Sequence, residues 1–316
     1  MSPRQLVRRL VSIAVTLLLV SFVVFAITQI LPGNAANMIL GEFATPEALA
    51  ALTTRFGLDA PWYVQYLRWL GGVLAGDWGE SMTLSRPVMP EVLTALGRSA
   101  LLAGFSLATV TLIAVPLGVW AAVRQGRPAD LAIGGVSYIG ISLPEFVTAT
   151  LLIVFLARPE IGIFPAGGYQ PIEAGIGTFL IHLALPVAAL TMIMAAHIVR
   201  QTRSEMVDVL HAEFVRTATL KGMPRRVVLF KHALRNALLP TVTVIALDVG
   251  YLIGGILVVE EIFAFPGLGR LLLFAMQNRD LPLLQAGTLV MAAVYAATNF
   301  ATDIAYSVLD RRIQHA

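Results

Sequence analysis

The sequence predicts an all-α polytopic membrane protein, with six transmembrane helices, a helical insertion between the first and second, and a basic helical elbow between the fourth and fifth. Three observations carry that reading. Of 316 residues, 57% are hydrophobic and 13% charged, with mean hydropathy +0.79. A soluble domain carries nearer 25% charge, so lipid solvates most of this chain. Charge-free windows recur at about 20 residues, the length that crosses a bilayer core. Finally, residues 200–240 break the apolar pattern with eight Lys/Arg against Glu205, Asp208 and Glu213.

The elements follow in order. Arg4, Arg8 and Arg9 before Leu10 imitate a secretory leader, but the uncharged run continues to Gly41 without an early small-x-small cleavage site. It is read as a retained first span, about 10–31, ending at Pro32-Gly33. The insertion 32–98 is polar. Thr45-Pro46-Glu47 opens a short helix that Gly57 closes, and Pro61 opens a second, 62–70, dense in Trp and Tyr. Such a helix suits the headgroup boundary, and equally a small capping core. The second span is about 99–123 between Arg98 and Arg124. The third, about 131–157, is interrupted at Pro144-Glu145. The fourth is about 178–199, the fifth about 238–259 and the sixth about 284–309. The whole, 1–316, reads as one transmembrane domain without internal repeats.

In the elbow, Val207, Leu210, Phe214 and Ala218 recur at helical spacing as one apolar stripe, with Arg216 opposite. Gly222 is placed to end that helix in the left-handed conformation, and Pro224 suits the first turn of a second short helix. A helix–Gly–helix elbow on the basic side of a membrane protein is suited to docking in a groove of a soluble partner.

Six spans put both termini on one face. Fifteen Lys/Arg fall on the face with the termini and elbow, and seven (Arg55, Arg68, Arg86, Arg98, Arg158, Arg270, Arg279) on the other. The positive-inside bias therefore places termini and elbow in the cytoplasm. The net charge of +3, distributed as topology requires, gives no argument for nucleic acid. Zero cysteines exclude disulfides and thiolate chemistry. No phosphate-cradling Gly-x-x-x-x-Gly-Lys-Ser/Thr occurs, nor His-Glu-x-x-His or Gly-x-Ser-x-Gly. His182, His197, His211 and His232 are not paired at ligand spacing. The sequence thus predicts no catalytic residue, no metal site and no cofactor held by this chain.

Three acids fall within or near spans. Glu145 lies about 21 Å of helical rise beyond Asp130, Asp248 sits inside the fifth span, and Asp303 sits near the end of the sixth. A lipid-facing carboxylate is expensive, so each is expected to face a water-filled pathway or to form an inter-helix hydrogen bond. Pro144 beside Glu145 permits a kink. In the loop after the fifth span, Pro266-Gly267 and Gly269 suit a re-entrant turn, tolerable at membrane depth only where protein or water covers it. With Glu260 at the boundary it reads as an outer gate or as an interfacial loop.

These residues carry a resemblance. Phe214-Val215-Arg216-Thr217-Ala218, Lys221-Gly222 and Lys231 through Pro240 resemble the cytoplasmic coupling loop of ABC importer inner-membrane subunits. Within them they resemble the dipeptide/oligopeptide/nickel, binding-protein-dependent permease family. Arg216-Thr217-Ala218 stands where other branches have Glu-Ala-Ala, so Glu213 is not the motif glutamate. Leu31-Pro32-Gly33, Gly57-Leu58-Asp59, Gly76-Asp77-Trp78-Gly79, Pro116-Leu117-Gly118, the run Glu260 to Arg270, Asn278-Arg279-Asp280 and Leu309-Asp310-Arg311-Arg312-Ile313 extend the likeness along the chain; the family commonly has Pro at position 311.

The resemblance implies a translocation-pathway subunit of an ATP-driven importer of di- or oligopeptides in a bacterial inner membrane. Its implied partners are a second homologous permease, two ATPase subunits that hold ATP and Mg, an extracytoplasmic solute-binding protein and membrane lipid. Glu213, Phe214, Arg216, Thr217, Ala218, Lys221 and Gly222 are the implied ATPase-coupling residues. Glu145, Asp248, Glu260 and Asp303 are the pathway or gate candidates. The alternatives are an importer of nickel chelates or glutathione, or a membrane scaffold or receptor that recruits a soluble partner through its basic loop. A lone secondary transporter would usually show inverted repeats and more intramembrane charge.

Overall fold

The computed structural model describes residues 3–30, 45, 60–158, 160 and 162–309. The expected helix between Thr45 and Gly57, the Leu31-Pro32-Gly33 and Gly57-Leu58-Asp59 motifs and the tail from Asp310 lie outside the described residues. Among those described, the elements are α1 (Pro3–Ile30), α2 (Trp62–Ala75), α3 (Val88–Val123), α4 (Pro128–Ser142), α5 (Glu145–Leu156), α6 (Ile176–Leu210), α7 (Glu213–Leu220), α8 (Arg225–Ile262), α9 (Leu268–Gln277) and α10 (Leu281–Leu309). They include no β-strand, only an isolated bridge between Glu80 and Pro87.

Five of these helices, α1, α3, α6, α8 and α10, are long and apolar enough to cross a membrane. The expected third span, about 131–157, is not a kinked helix but two helices, α4 and α5, meeting at 109°. The cause is local. Leu143 precedes Pro144 and is driven out of the helical region, to φ −93° and ψ 125°. Pro144 then caps α5. The depth of Glu145 therefore does not follow from helical rise beyond Asp130. Two further expectations change. Helix α3 starts at Val88 rather than Ser99, because Pro90 falls in its first turn, where proline is tolerated. The elbow is not two short helices: α6 runs on to Leu210, and the segment after Pro224 is continuous with the fifth span.

The chain divides into two compact units, essentially 99–266 with 298–309 and 3–98 with 267–297. In the first, α6 is the enclosed helix, with 61% of its apolar window buried. Leu183, Leu190, Met194 and Ile198 of α6 pack with Leu102, Val110, Ile256 and Phe263. Close approach is set by glycine. A Cβ on Gly118 of α3 would lie 2.6 Å from the Thr202 Cβ and 2.7 Å from the Val199 carbonyl oxygen, which explains the glycine of Pro116-Leu117-Gly118. In the loop before α6, Gly168 adopts φ +92° and donates to the Phe263 carbonyl at 2.7 Å. Phe263 and Phe265, both wholly buried, thereby anchor the turn after α8.

In the second unit, α2 carries no buried residue. Its Trp62, Tyr66 and Trp69 instead pack edge-on or tilted against Phe22 and Phe25 of α1, and Ser21 bonds Tyr66 at 2.9 Å. The Gln285 amide donates to Thr28 at 2.7 Å, tying α10 to α1. Asp280 is a wholly buried N-cap for α10: it accepts from Ser81 Oγ at 2.5 Å, from Thr83 N at 3.0 Å and from Leu283 N at 3.3 Å. That gives a physical role to the aspartate of Asn278-Arg279-Asp280.

Candidate functional site

Two regions bring the singled-out residues together. The first is the elbow. Helix α6 ends at His211, Ala212 is extended, and α7 spans Glu213–Leu220. The expected stripe from Val207 to Ala218 therefore crosses a break, and the inward pair on α7 is Val215 with Ala218 rather than Phe214 with Ala218. Val215 and Ala218 are buried against Ala122, Met206, Val228, Ala233 and Ala237. The opposite face presents Glu213, Phe214, Arg216, Thr217, Lys221 and Gly222, all exposed. Phe214 is 46% and Leu220 79% accessible.

Gly222 ends α7 at φ +76°, as its position predicts. Its N–H donates to Thr219 O at 3.0 Å, and Met223 N–H reaches Ala218 O at 3.4 Å. This doubly bonded left-handed stop satisfies carbonyls that would otherwise be orphaned. Pro224 sits at the N-cap of α8, one position before the expected first turn. Val228–Leu234 then forms a π-helical stretch, which the sequence reading missed. Just beyond it Asn236 Nδ2 donates to the His232 carbonyl at 2.7 Å. Extra-wide turns of this kind concentrate at functional sites.

The second region joins α5, α6 and α8. Asp248 of α8 is 8% accessible, with Oδ1 4.0 Å from His197 Nδ1 of α6. Its Oδ2 is buried and finds no hydrogen-bond donor among the described residues. One turn on, Tyr251 packs edge-on to the His197 ring, centroids 6.5 Å apart, and its hydroxyl faces the Glu145 carboxylate of α5. Glu145 in turn lies directly over Gly255, where a Cβ would stand 2.6 Å from its Oε1. A side chain at position 255 would push the carboxylate from that place. Sequence reasoning named Glu145 and Asp248 but missed His197, Tyr251 and Gly255, because their meeting is long-range.

Glu260 and Asp303 lie elsewhere. Glu260 is wholly buried and accepts from Ser99 Oγ at 2.5 Å. Asp303 is exposed on α10, next to Thr302, whose hydroxyl bonds the Ala246 carbonyl of α8 at 3.0 Å. No three His, Asp or Glu side chains among the described residues are grouped to hold a metal ion.

Comparison with known proteins decides the family. The model of binding-protein-dependent transport system inner membrane components matches residues 114–315, which include the elbow and the Asp248 cluster. The model of the N-terminal part of such membrane components matches residues 3–91. The chain belongs to this family.

Its relatives include the dipeptide transport system permease proteins DppB of Alkalihalophilus pseudofirmus and of Escherichia coli K12. Each is 36% identical over 98% of this chain and 98% of the relative. The oligopeptide transport system permease protein AppB of Bacillus subtilis matches at 36% identity with the same coverage. More remotely, a solved amino acid ABC transporter chain shares 16% identity at TM-score 0.48, over 71% of this chain and 94% of that one. The protein is therefore a multi-pass inner-membrane transport component, a permease, and its family is defined by transport rather than catalysis.

One feature of the permease escaped the sequence reading altogether. Asp130 in the first turn of α4, 4% accessible, takes a fork from Arg203 of α6, Nε to Oδ1 at 2.5 Å and Nη2 to Oδ2 at 2.7 Å. Gly126 N–H adds a third bond to Oδ2 at 2.9 Å. Two planar groups meeting in parallel make the strongest kind of ion pair, and here it straps the turn before α4 to α6 just above the elbow.

Proposed function

We propose that this permease forms one half of the translocation pathway of an ATP-driven importer of di- or oligopeptides. A second homologous permease completes the pathway, two ATPase subunits hold ATP and Mg, and an extracytoplasmic solute-binding protein delivers the peptide. The carrying observation is the 36% identity over 98% of both chains to permeases named for dipeptide and oligopeptide transport. Residues 1–316 work as one permease domain, 32–98 as its outer helical insertion, and 200–237, with both termini, on the cytoplasmic side.

Helix α7 is the coupling helix. Its buried Val215 and Ala218 fix it to the ends of α3, α6 and α8, so a push on α7 is delivered to three membrane helices. Its exposed Phe214, Arg216, Thr217, Lys221 and Gly222, with Glu213 at the start, form the face that enters a groove on an ATPase subunit. When ATP closes the ATPase dimer the elbow moves with it, and the membrane helices turn the pathway outward. Glu145 and Asp248, with His197 and Tyr251, face the solute. Glu260, enclosed with Ser99, braces the outer turn, and Asp303 has the weakest claim to the pathway.

The test is Gly222→Asp in the assembled transporter. A Cβ at φ +76° adds about 1–2 kcal/mol of backbone strain at the docking face, and the carboxylate opposes it electrostatically. Solute-stimulated ATPase activity is expected to fall about tenfold, the equivalent of ~1.4 kcal/mol, while all subunits still co-purify. Unchanged uptake and ATPase activity would remove α7 from the coupling role. Co-purification of the tagged wild-type chain with no ATPase and no second permease would overturn the importer itself.

A further inference from the structure

A cavity of about 420 Å³ opens between α4 and α6 beside the Asp130–Arg203 pair, and neither the transport pathway nor the elbow accounts for it. Its wall is of two kinds: Leu131, Ile133, Ile141 and Val199 give apolar surface, while Arg200, Arg203 and Tyr138 give polar groups. We infer that this cavity is a binding site for one anionic phospholipid of the surrounding membrane. The inference rests on the reading that α4 and α6 cross the bilayer with the elbow on the cytoplasmic side.

Charge argues for the occupant. Arg203 is neutralised by Asp130, so the pair adds no net charge, but Arg200 is exposed beside it and has no ion-pair partner among the described residues. The turn that enters α4 adds Arg124 and Arg127, both exposed, with Arg124 lying over the Trp120 ring at 5.5 Å. Asp130 is the acid at the cavity, and its oxygens are taken by Arg203 and Gly126. A basic recess between membrane helices at the cytoplasmic boundary is the setting in which anionic headgroups are held. An aromatic ring over which an arginine lies, at the level of the headgroups, matches the interfacial belt.

Shape argues the same way. Gly134 and Gly135 line the cavity, and a Cβ built on either meets nothing within 4 Å. Unlike Gly118 or Gly255, these glycines are not required by a neighbouring helix. They leave room for a guest, and the apolar wall running from Leu131 to Ile141 along α4 gives the start of an acyl chain a track away from the arginines. Free phosphate would use the arginines alone; a lipid uses both kinds of surface.

The experiment uses the complete transporter reconstituted in vesicles of phosphatidylethanolamine with phosphatidylglycerol, then purified in mild detergent. Three forms are compared: wild type, Arg200→Glu, which leaves the Asp130 pair intact, and Gly135→Leu, which fills the cavity from a position with space for a side chain. The wild type is expected to retain about one more phosphatidylglycerol per chain than either variant, with phosphatidylethanolamine equal in all three. A photoreactive phosphatidylglycerol should label residues 127–141 in the wild type alone, and excess inorganic phosphate should not displace it. Equal retention and labelling in the three forms overturns the proposal, as does displacement by phosphate. A photoreactive group at position 138 that captures another subunit instead of lipid overturns it too. These outcomes leave peptide uptake and subunit co-purification, the readouts of the proposed function, unaffected.

Discussion

Two buried aspartates divide the labour of this permease. Asp130 and Asp248 both sit on apolar helices and both are more than nine-tenths inaccessible. Asp130 is complete, with a two-pronged arginine and a backbone N–H on its oxygens. Asp248 is incomplete: the nearest basic side chain is His197 at 4.0 Å, and Oδ2 finds no donor among the described residues. In a low-dielectric setting an unsatisfied carboxyl oxygen is a standing cost of about 1–3 kcal/mol. A chain that meets that cost in one place and avoids it in another has different uses for the two. Asp130 holds helices together, and under the proposed function Asp248 is the one kept open for solute.

The largest effect is expected from breaking the complete pair. Arg203→Ala strands the Asp130 carboxylate, and about 2–4 kcal/mol of stability should be lost, the lower part of the range for buried pairs because the Arg203 side chain is 35% accessible. A fall in melting temperature and in the amount of intact complex from detergent would show it. The double variant Asp130→Leu with Arg203→Met should recover most of that loss, since well-packed apolar replacements of buried pairs are often neutral. A double variant as unstable as the single would mean that the Gly126 bond, not the ion pair, holds the strap.

Asp248→Asn should behave in the opposite manner. With no hydrogen bond to lose at Oδ2, its stability should stay within about 1 kcal/mol of the wild type, while uptake of peptides with a free amino terminus falls. If Asp248→Asn unfolds the complex as Arg203→Ala does, the two aspartates are alike and the contrast fails. A sharper version replaces His197 with Ala. Uptake should change in the same direction as for Asp248→Asn, because removing the imidazole beside Oδ1 alters what that carboxylate offers to a solute.

How much of this was readable in advance follows from which forces are local. Spans were legible because hydrocarbon demands long charge-free runs, and Gly222 because φ > 0 has so few tenants. The 109° break at Pro144 was legible as a place but not as an angle, since proline dictates the conformation of Leu143 while packing decides where α5 goes. The inward face of α7 was misjudged for a related reason. Periodicity was carried across His211–Ala212, where the helix stops, so Phe214 was placed inward and Val215 overlooked. Asp130–Arg203 was illegible: the partners are 73 positions apart, and each alone looks like an ordinary boundary charge. The π-helical turn was hidden because Val228–Leu234 holds no proline or glycine to mark a break.

The smallest effect tests the edge of the open cluster. Glu145 is partly accessible and sits over Gly255 with Tyr251 beside it, so Glu145→Gln keeps shape and loses charge. Stability should change by no more than about 0.5 kcal/mol, and apparent affinity for cationic peptides should weaken about two- to fivefold, the scale of an exposed charge at a binding face. Gly255→Ala provides the independent check. It leaves the carboxylate its charge but displaces it, since the new methyl carbon would stand only 2.6 Å from Oε1. If position as well as charge matters, Gly255→Ala should mimic Glu145→Gln on cationic peptides and spare neutral ones. Should Gly255→Ala impair every substrate equally while Glu145→Gln impairs none, the crowding at Gly255 is a matter of how α5 packs on α8, and the open cluster shrinks to Asp248, His197 and Tyr251.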